Sequence, residues 1–110
     1  MLDEATRYRL LKLLQANPEV SQRQLAGELG VSVGKINFCL RALLDKGFVK
    51  VRNFRDSQNK LAYAYYLTPK GAQAKVRATA QFLHRKMREY REIEREIEQL
   101  KREVRSDGIH

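Results

Sequence analysis

Hydrophobic positions in the first half of the chain fall at helical spacing, in three short blocks divided by turn residues. Leu10, Leu11, Leu13 and Leu14 lie in the second half of a helix predicted from Glu4 to Gln15. Asp3 can cap its start, and Asn17-Pro18 ends it because the residue before proline is pushed out of the helical region. A second helix starts at Ser21, where Ser21-Gln22-Arg23-Gln24 has the form of a capping box. Leu25, Ala26 and Leu29 give it a short apolar stripe, and Gly30 supplies the positive-φ turn. A third helix follows Ser32, another capping residue. In it Ile36, Leu40, Leu43 and Leu44 recur on one face, and Gly47 closes it after Lys46.

The period then changes from helical to alternating. Phe48 to Arg52 and Leu61 to Leu67 read as two strands, and the polar segment 53–60 between them reads as a long basic tip. Thr68-Pro69 opens a fourth helix, with a hydroxyl cap and proline at the first helical position. It runs without a strong breaker to about Arg105, which at 1.5 Å per residue is on the order of 55 Å. The predicted fold is mainly α with a small β-hairpin: a winged helix-turn-helix over residues 1–68, then a long C-terminal helix with a short tail over 69–110.

A body of about 68 residues is only roughly 30 Å across, so the last helix must project beyond it. Along it Ala80, Leu83, Met87 and Tyr90, then Ile93, Ile97, Leu100 and Val104, recur at coiled-coil spacing, with a stammer between Tyr90 and Ile93. A projecting apolar seam of this kind needs a second chain to cover it. A homodimer through these eight residues is therefore expected.

Composition adds the partner. The net charge is +9, the sequence pI about 10.0 and the hydrophobic content 43%. Between Arg23 and Lys60 there are eight Lys or Arg against three Asp or Glu, and from Lys75 to Arg88 five basic residues and no acid. That excess favours a polyanion. No apolar run approaches a membrane span, and the first residues lack the form of a secretory signal. Cys39 is the only cysteine, so no intrachain disulfide forms, and a reducing cytoplasm is the expected setting. No metal-ligand spacing and no cofactor motif stands out. His84 and His110 have no ligand-spaced partners. No nucleophile–base pair or carboxylate pair marks an enzyme.

A helix fits the major groove of duplex DNA, and a basic hairpin reaches phosphates or the adjacent minor groove. The third helix carries Lys35, Asn37, Phe38 and Arg41 opposite its apolar face. Arg or Lys suits guanine and Asn suits adenine. Phe38 would either touch a thymine methyl or fold back on the hairpin. Ser32, Val33 and Gly34 open that helix where backbone can approach phosphate. Gln22 and Arg23 could reach the backbone from the second helix, and Arg52, Arg55 and Lys60 from the wing. Cys39 reads as a half-buried structural thiol, and Tyr63, Tyr65 and Tyr66 as packing residues.

Three motifs in order carry a family resemblance. Ser21 to Leu44 resembles the helix-turn-helix of the MarR family of bacterial regulators. Leu43-Leu44-Asp45-Lys46-Gly47-Phe48-Val49 resembles its leucine, lysine-glycine and valine signature. Leu67-Thr68-Pro69-Lys70-Gly71 resembles its strand-to-helix junction. The likeness covers roughly Leu10 to Gly71, and the whole chain is most similar to the compact subgroup associated with exopolysaccharide (EPS) gene clusters. The resemblance implies a homodimeric, sequence-specific regulator of transcription that binds double-stranded DNA. Two departures qualify it. The Asp-x-Arg pair usual at the wing tip is replaced by Arg55-Asp56-Ser57-Gln58-Asn59-Lys60. The chain also starts too late for a long N-terminal arm, which leaves dimerisation to the last helix and implies a reduced or missing effector pocket. The alternative reading is a winged-helix interaction module that recruits a partner protein through the C-terminal helix.

Overall fold

The computed structural model describes residues 3–108; His110 lies outside them. Four helices and one hairpin follow in the order α1 (Glu4–Ala16), α2 (Gln22–Leu29), α3 (Val33–Asp45), β1 (Val49–Arg55), β2 (Leu61–Leu67) and α4 (Pro69–Ser106). The helix starts rest on local chemistry legible in the chain. The Asp3 carboxylate accepts from the Thr6 N–H at 2.7 Å. Ser21 and Gln24 exchange both bonds of the capping box, each at 3.0 Å. Ser32 Oγ accepts from the Lys35 N–H at 3.1 Å. Each cap satisfies a backbone donor that a bare helix end leaves open, worth about 1 kcal/mol.

The core forms where α1, α2 and α3 converge. Leu10, Leu11, Leu14, Leu25, Ile36, Cys39, Leu40 and Leu43 are fully or almost fully buried, and Phe48, Val49 and Tyr65 close the cluster from the hairpin. Burying a side chain of that size contributes roughly 1.5–3 kcal/mol, so these eight positions dominate the stability of the body. Cys39 is wholly buried among them rather than half-buried, and burial pushes its thiol pKa up. A neutral, enclosed thiol behaves as a small core hydrophobe.

The hairpin differs from the sequence expectation in two ways. Strand β1 continues to Arg55, three residues past the predicted end, and pairs antiparallel with β2 from Val49↔Leu67 out to Arg55↔Leu61. The tip is correspondingly short. The Asp56 carboxylate accepts from the N–H groups of Gln58 (2.8 Å) and Lys60 (2.9 Å), and Asn59 adopts φ 60°. That Asx-type turn closes the strands early and lets them pair along their full length. Secondly, the alternating face is buried only at the base. Val49 and Tyr65 are buried, but Val51, Leu61 and Tyr63 are exposed because the outer hairpin projects past the body.

Helix α4 starts in the body and leaves it. Gly71, Ala74 and Ala78 are buried against it, and the Phe82 ring stacks on Tyr8 of α1 at 4.8 Å between centroids. Beyond that stack the helix is free, which gives the molecule extents of 68 × 29 × 22 Å. No helix among the described residues is long and apolar enough to cross a membrane.

Candidate nucleic-acid interface

The tight turn between α2 and α3 sets the angle at which α3 is presented. Gly30 takes the left-handed conformation at φ 67°, and the Val31 N–H returns to the Ala26 carbonyl at 3.0 Å. A side chain at that φ would be strained. Helix α3 then buries Ile36, Cys39, Leu40 and Leu43. At about 100° per residue, the line opposite these four carries Gly34, Phe38 and Arg41, with Lys35 and Asn37 on its two flanks. All five are exposed, as are Ser32 and Val33 at the helix start. Phe38 is 55% exposed and does not fold into the core.

The flanking position of Lys35 brings it beside the N-terminus of α1. The Asp3 carboxyl is held below its usual range first by the Thr6 backbone N–H and then by the Thr6 side chain; the charges of Lys35 and Arg85 add to the lowering. Lys35 thus shares its field with an acid, whereas Arg41 stands clear on the outer line. On α2, Arg23 is exposed, but Gln22 is half-buried and its Nε2 donates to the Tyr65 hydroxyl at 3.4 Å. Gln22 therefore ties α2 to the wing.

On the wing, Arg52 lies over the Tyr66 ring at 5.7 Å, and Arg55 Nη1 donates to the Asn59 carbonyl at 3.4 Å. Lys60 is exposed beside the tip. Among the described residues the ion pairs all lie within α4: Arg85 and Lys86 with Glu89, and Lys101 with Glu98. None involves a basic residue between Arg23 and Lys60. The cations of the helix-turn-helix and wing therefore stand outside the ion pairs of the described residues. Among the described residues no cluster of His, Cys, Asp or Glu is placed to hold a metal ion.

One positioning device was not anticipated from the chain. Thr68 Oγ1 donates to the Gly47 carbonyl at 2.6 Å and accepts from the Gly71 N–H at 3.0 Å, while the Thr68 N–H donates to the Phe48 carbonyl at 3.0 Å. A Cβ on Gly71 would sit 1.8 Å from that same Phe48 oxygen. The end of α3, the base of the wing and the start of α4 are thus clasped at one point, so the angle between α3, wing and projecting helix is fixed. The signal was present as Lys46-Gly47 and Thr68-Pro69-Lys70-Gly71, two glycine motifs whose meeting only the tertiary fold reveals.

Seven of the expected seam residues, Leu83, Met87, Tyr90, Ile93, Ile97, Leu100 and Val104, are exposed large hydrophobics, and Ala80 is exposed beside them. A shallow cleft of about 350 Å³ opens between α1, α2 and α4, lined by Tyr8, Lys12, Leu29 and Phe82 among others.

This geometry defines a winged helix-turn-helix. Residues 3–50 match the family described as winged helix-turn-helix DNA-binding. No curated protein matches the sequence. Solved structures share the fold. The Mycobacterium tuberculosis MarR family protein Rv2887, in complex with p-aminosalicylic acid, is 25% identical with a TM-score of 0.60, over 86% of this chain and 75% of that one. A MarR/EmrR family transcriptional regulator from Acinetobacter sp. ADP1 is 20% identical with a TM-score of 0.63, over 94% of this chain and 74% of that one. FabT of Streptococcus pneumoniae, in complex with DNA, is 22% identical with a TM-score of 0.52, over 91% of this chain and 69% of that one. The structural neighbours are thus MarR family regulators, and the chain carries a winged helix-turn-helix domain.

Proposed function

We propose that this chain is a MarR-type transcriptional regulator that binds double-stranded DNA sequence-specifically as a homodimer, in the cytoplasm, without catalysis. Helix α3 enters the major groove, with Arg41 and Phe38 foremost and Lys35 and Asn37 beside them. Ser32, Val33 and Gly34 approach the backbone at its N-terminal end. Arg23 and the wing residues Arg52, Arg55 and Lys60 contact phosphates or the neighbouring minor groove. Gln22 acts indirectly, by holding the wing through Tyr65. The dimer forms through the α4 seam and sets two reading helices one helical turn apart, roughly 34 Å.

The observation that carries this reading is the outer face of α3. It is open along its whole length, and its arginine has no acidic partner among the described residues. Gly34 fits the same picture. An exposed helical glycine costs about 1 kcal/mol against alanine, and the nearest atom to an added Cβ is Ser32 Oγ at 3.9 Å. The protein's own packing does not require it, whereas a close phosphate or groove wall would. The FabT complex supports a DNA partner for this fold, and the motif likeness at Lys46-Gly47 and Thr68-Pro69 supports the family. Within that family we assign it to the compact EPS-associated subgroup on the motif likeness alone.

Replacing Lys35 and Arg41 together by alanine tests it. A bidentate arginine–guanine pair is worth about 1–3 kcal/mol, so affinity for a selected duplex is expected to fall about tenfold to several hundredfold, with sedimentation unchanged. Undiminished duplex affinity would overturn the assignment and favour a protein partner instead.

A further inference from the structure

The seam on α4 has an internal order that determines how two copies would pair. Val76, Leu83, Tyr90, Ile97 and Val104 stand seven residues apart, each between 41% and 70% exposed. A sustained seven-residue repeat follows one line only on a helix wound left-handed about a partner. The second apolar row changes side at Tyr90. Before it, Ala80 and Met87 lie four residues after their row-mates, and the three-residue positions are polar, Thr79 and Lys86. After it, Ile93 and Leu100 lie three residues on. The spacing is that of a heptad on both sides, offset by a stammer at Tyr90: before it Ala80 and Met87 fall at a with Val76 and Leu83 at d, and after it Tyr90, Ile97 and Val104 fall at a with the bulkier Ile93 and Leu100 at d.

We propose that the terminal helices pair as a parallel, in-register, two-stranded coiled coil over residues 90–104 and diverge toward the two DNA-binding bodies, an inference that rests on the dimer reading above. Three observations support this arrangement. Among parallel coils, beta-branched Ile97 and Val104 at a with Leu100 at d favour two strands over more, with Ile93 at d the exception. Charge agrees. In a parallel pair Glu96 at g faces the partner's Lys101 at e. The less favourable pair sets Glu89 against the partner's Glu94, but Glu89 is already matched in its own helix by Arg85 at 3.3 Å and Lys86 at 3.2 Å. Reversing one helix would instead face g against g, where Glu89, Glu96 and Glu103 are all carboxylates, and e against e, where Glu94 meets Lys101; three like-charge contacts then stand against two opposite ones, whereas the parallel pair balances them.

The third observation is geometric. The body grips α4 through Gly71, Ala74 and Ala78. Antiparallel pairing about residue 97 would place those grips roughly 70 Å apart, at 1.5 Å per residue. Parallel pairing puts both bodies at one end of the rod, where reading helices about 34 Å apart can be met. The stammer at Tyr90 breaks the seam between the paired segment and the bodies, where the two helices must separate for the bodies to sit side by side.

Disulfide trapping in the full-length chain reads the orientation. Both substitutions lie on the projecting rod, outside the core, and the unsubstituted chain, whose Cys39 is buried, is the control. Under mild oxidation Val104→Cys is expected to convert almost wholly to a linked dimer. Ile93→Cys is expected to do the same. A mixture of the two, on chains of different length, is expected to give self-linked pairs with few crossed ones. Crossed 93–104 links with little 104–104 linkage would overturn the parallel arrangement. Failure of both variants to link, in a protein that sediments as a dimer, would also overturn it while leaving dimerisation intact. A monomer in sedimentation would overturn the dimer reading itself.

Discussion

Gly71 shows how much a single missing side chain sets. From sequence it is a weak residue in the first turn of a long helix. In the fold it lies against the Phe48 carbonyl, so close that a methyl group would fall 1.8 Å from the oxygen. Backbone cannot yield as a flexible side chain can. Gly71→Ala is expected to destabilise the protein by about 1–3 kcal/mol or more, read as a lower urea midpoint with unchanged slope. Gly27 is the control. Nothing lies within 4 Å of a Cβ there, so Gly27→Ala should be neutral or stabilise by up to about 1 kcal/mol. Equal effects at the two sites would contradict the clasp. Residue-scale roles were legible where the chemistry is local, as at Asp3, Ser21 and Ser32. They were not legible where two distant segments meet. Nothing in the chain signals that Gln22, expected to reach the DNA backbone, also lies within 3.4 Å of the Tyr65 hydroxyl, or that Lys35 lies nearer the N-terminus of α1 than Arg41 does.

At the scale of elements, α3 and the hairpin are expected to contribute differently. The helix presents a fixed row, because its buried residues and both ends are tied down. The wing is held at its base by Val49, Tyr65 and the bond from the Tyr65 N–H to the Pro18 carbonyl at 2.9 Å, and its outer half stands free. A fixed row can discriminate bases, whereas a projecting cationic hairpin supplies mainly phosphate contacts. Replacing Arg52, Arg55 and Lys60 by glutamine should weaken all duplexes by a similar factor. It should also reduce the slope of log affinity against log salt by up to about three, given roughly 0.9 per phosphate contact. Loss of sequence preference with an unchanged slope would instead make the wing a base reader. The existence of both elements followed from the change of hydrophobic period. The length of β1 did not, because residues 53–55 carry no strand-like alternation and are held in the sheet by pairing with β2. Tyr63, expected to pack as Tyr65 does, is 54% exposed for a related reason: alternation marks which residues share a face, but it does not say whether a body lies beneath it.

Across the whole molecule, charge and apolar surface are segregated. The helix-turn-helix and wing carry cations outside the ion pairs, and the projecting α4 carries mixed signs around an exposed apolar stripe. The overall division was visible in the chain, because a helix of 38 residues cannot be covered by the body the rest of the sequence can build. Its attachment was less visible. The Tyr8–Phe82 stack and the small residues Gly71, Ala74 and Ala78 bind its first turns to the body, so the rod and the reading helix move together. In the proposed operator-reading dimer the body would hold the polyanion and the rod would couple two bodies, and the claim on which this rests is that the outer face of α3 distinguishes one base sequence from another. Selection of the pure full-length protein against a random duplex pool at physiological salt tests that claim most directly. The account predicts enrichment of a pseudo-palindrome whose half-sites lie about one helical turn apart. A pool that stays random through successive rounds, at salt where binding persists, would contradict it.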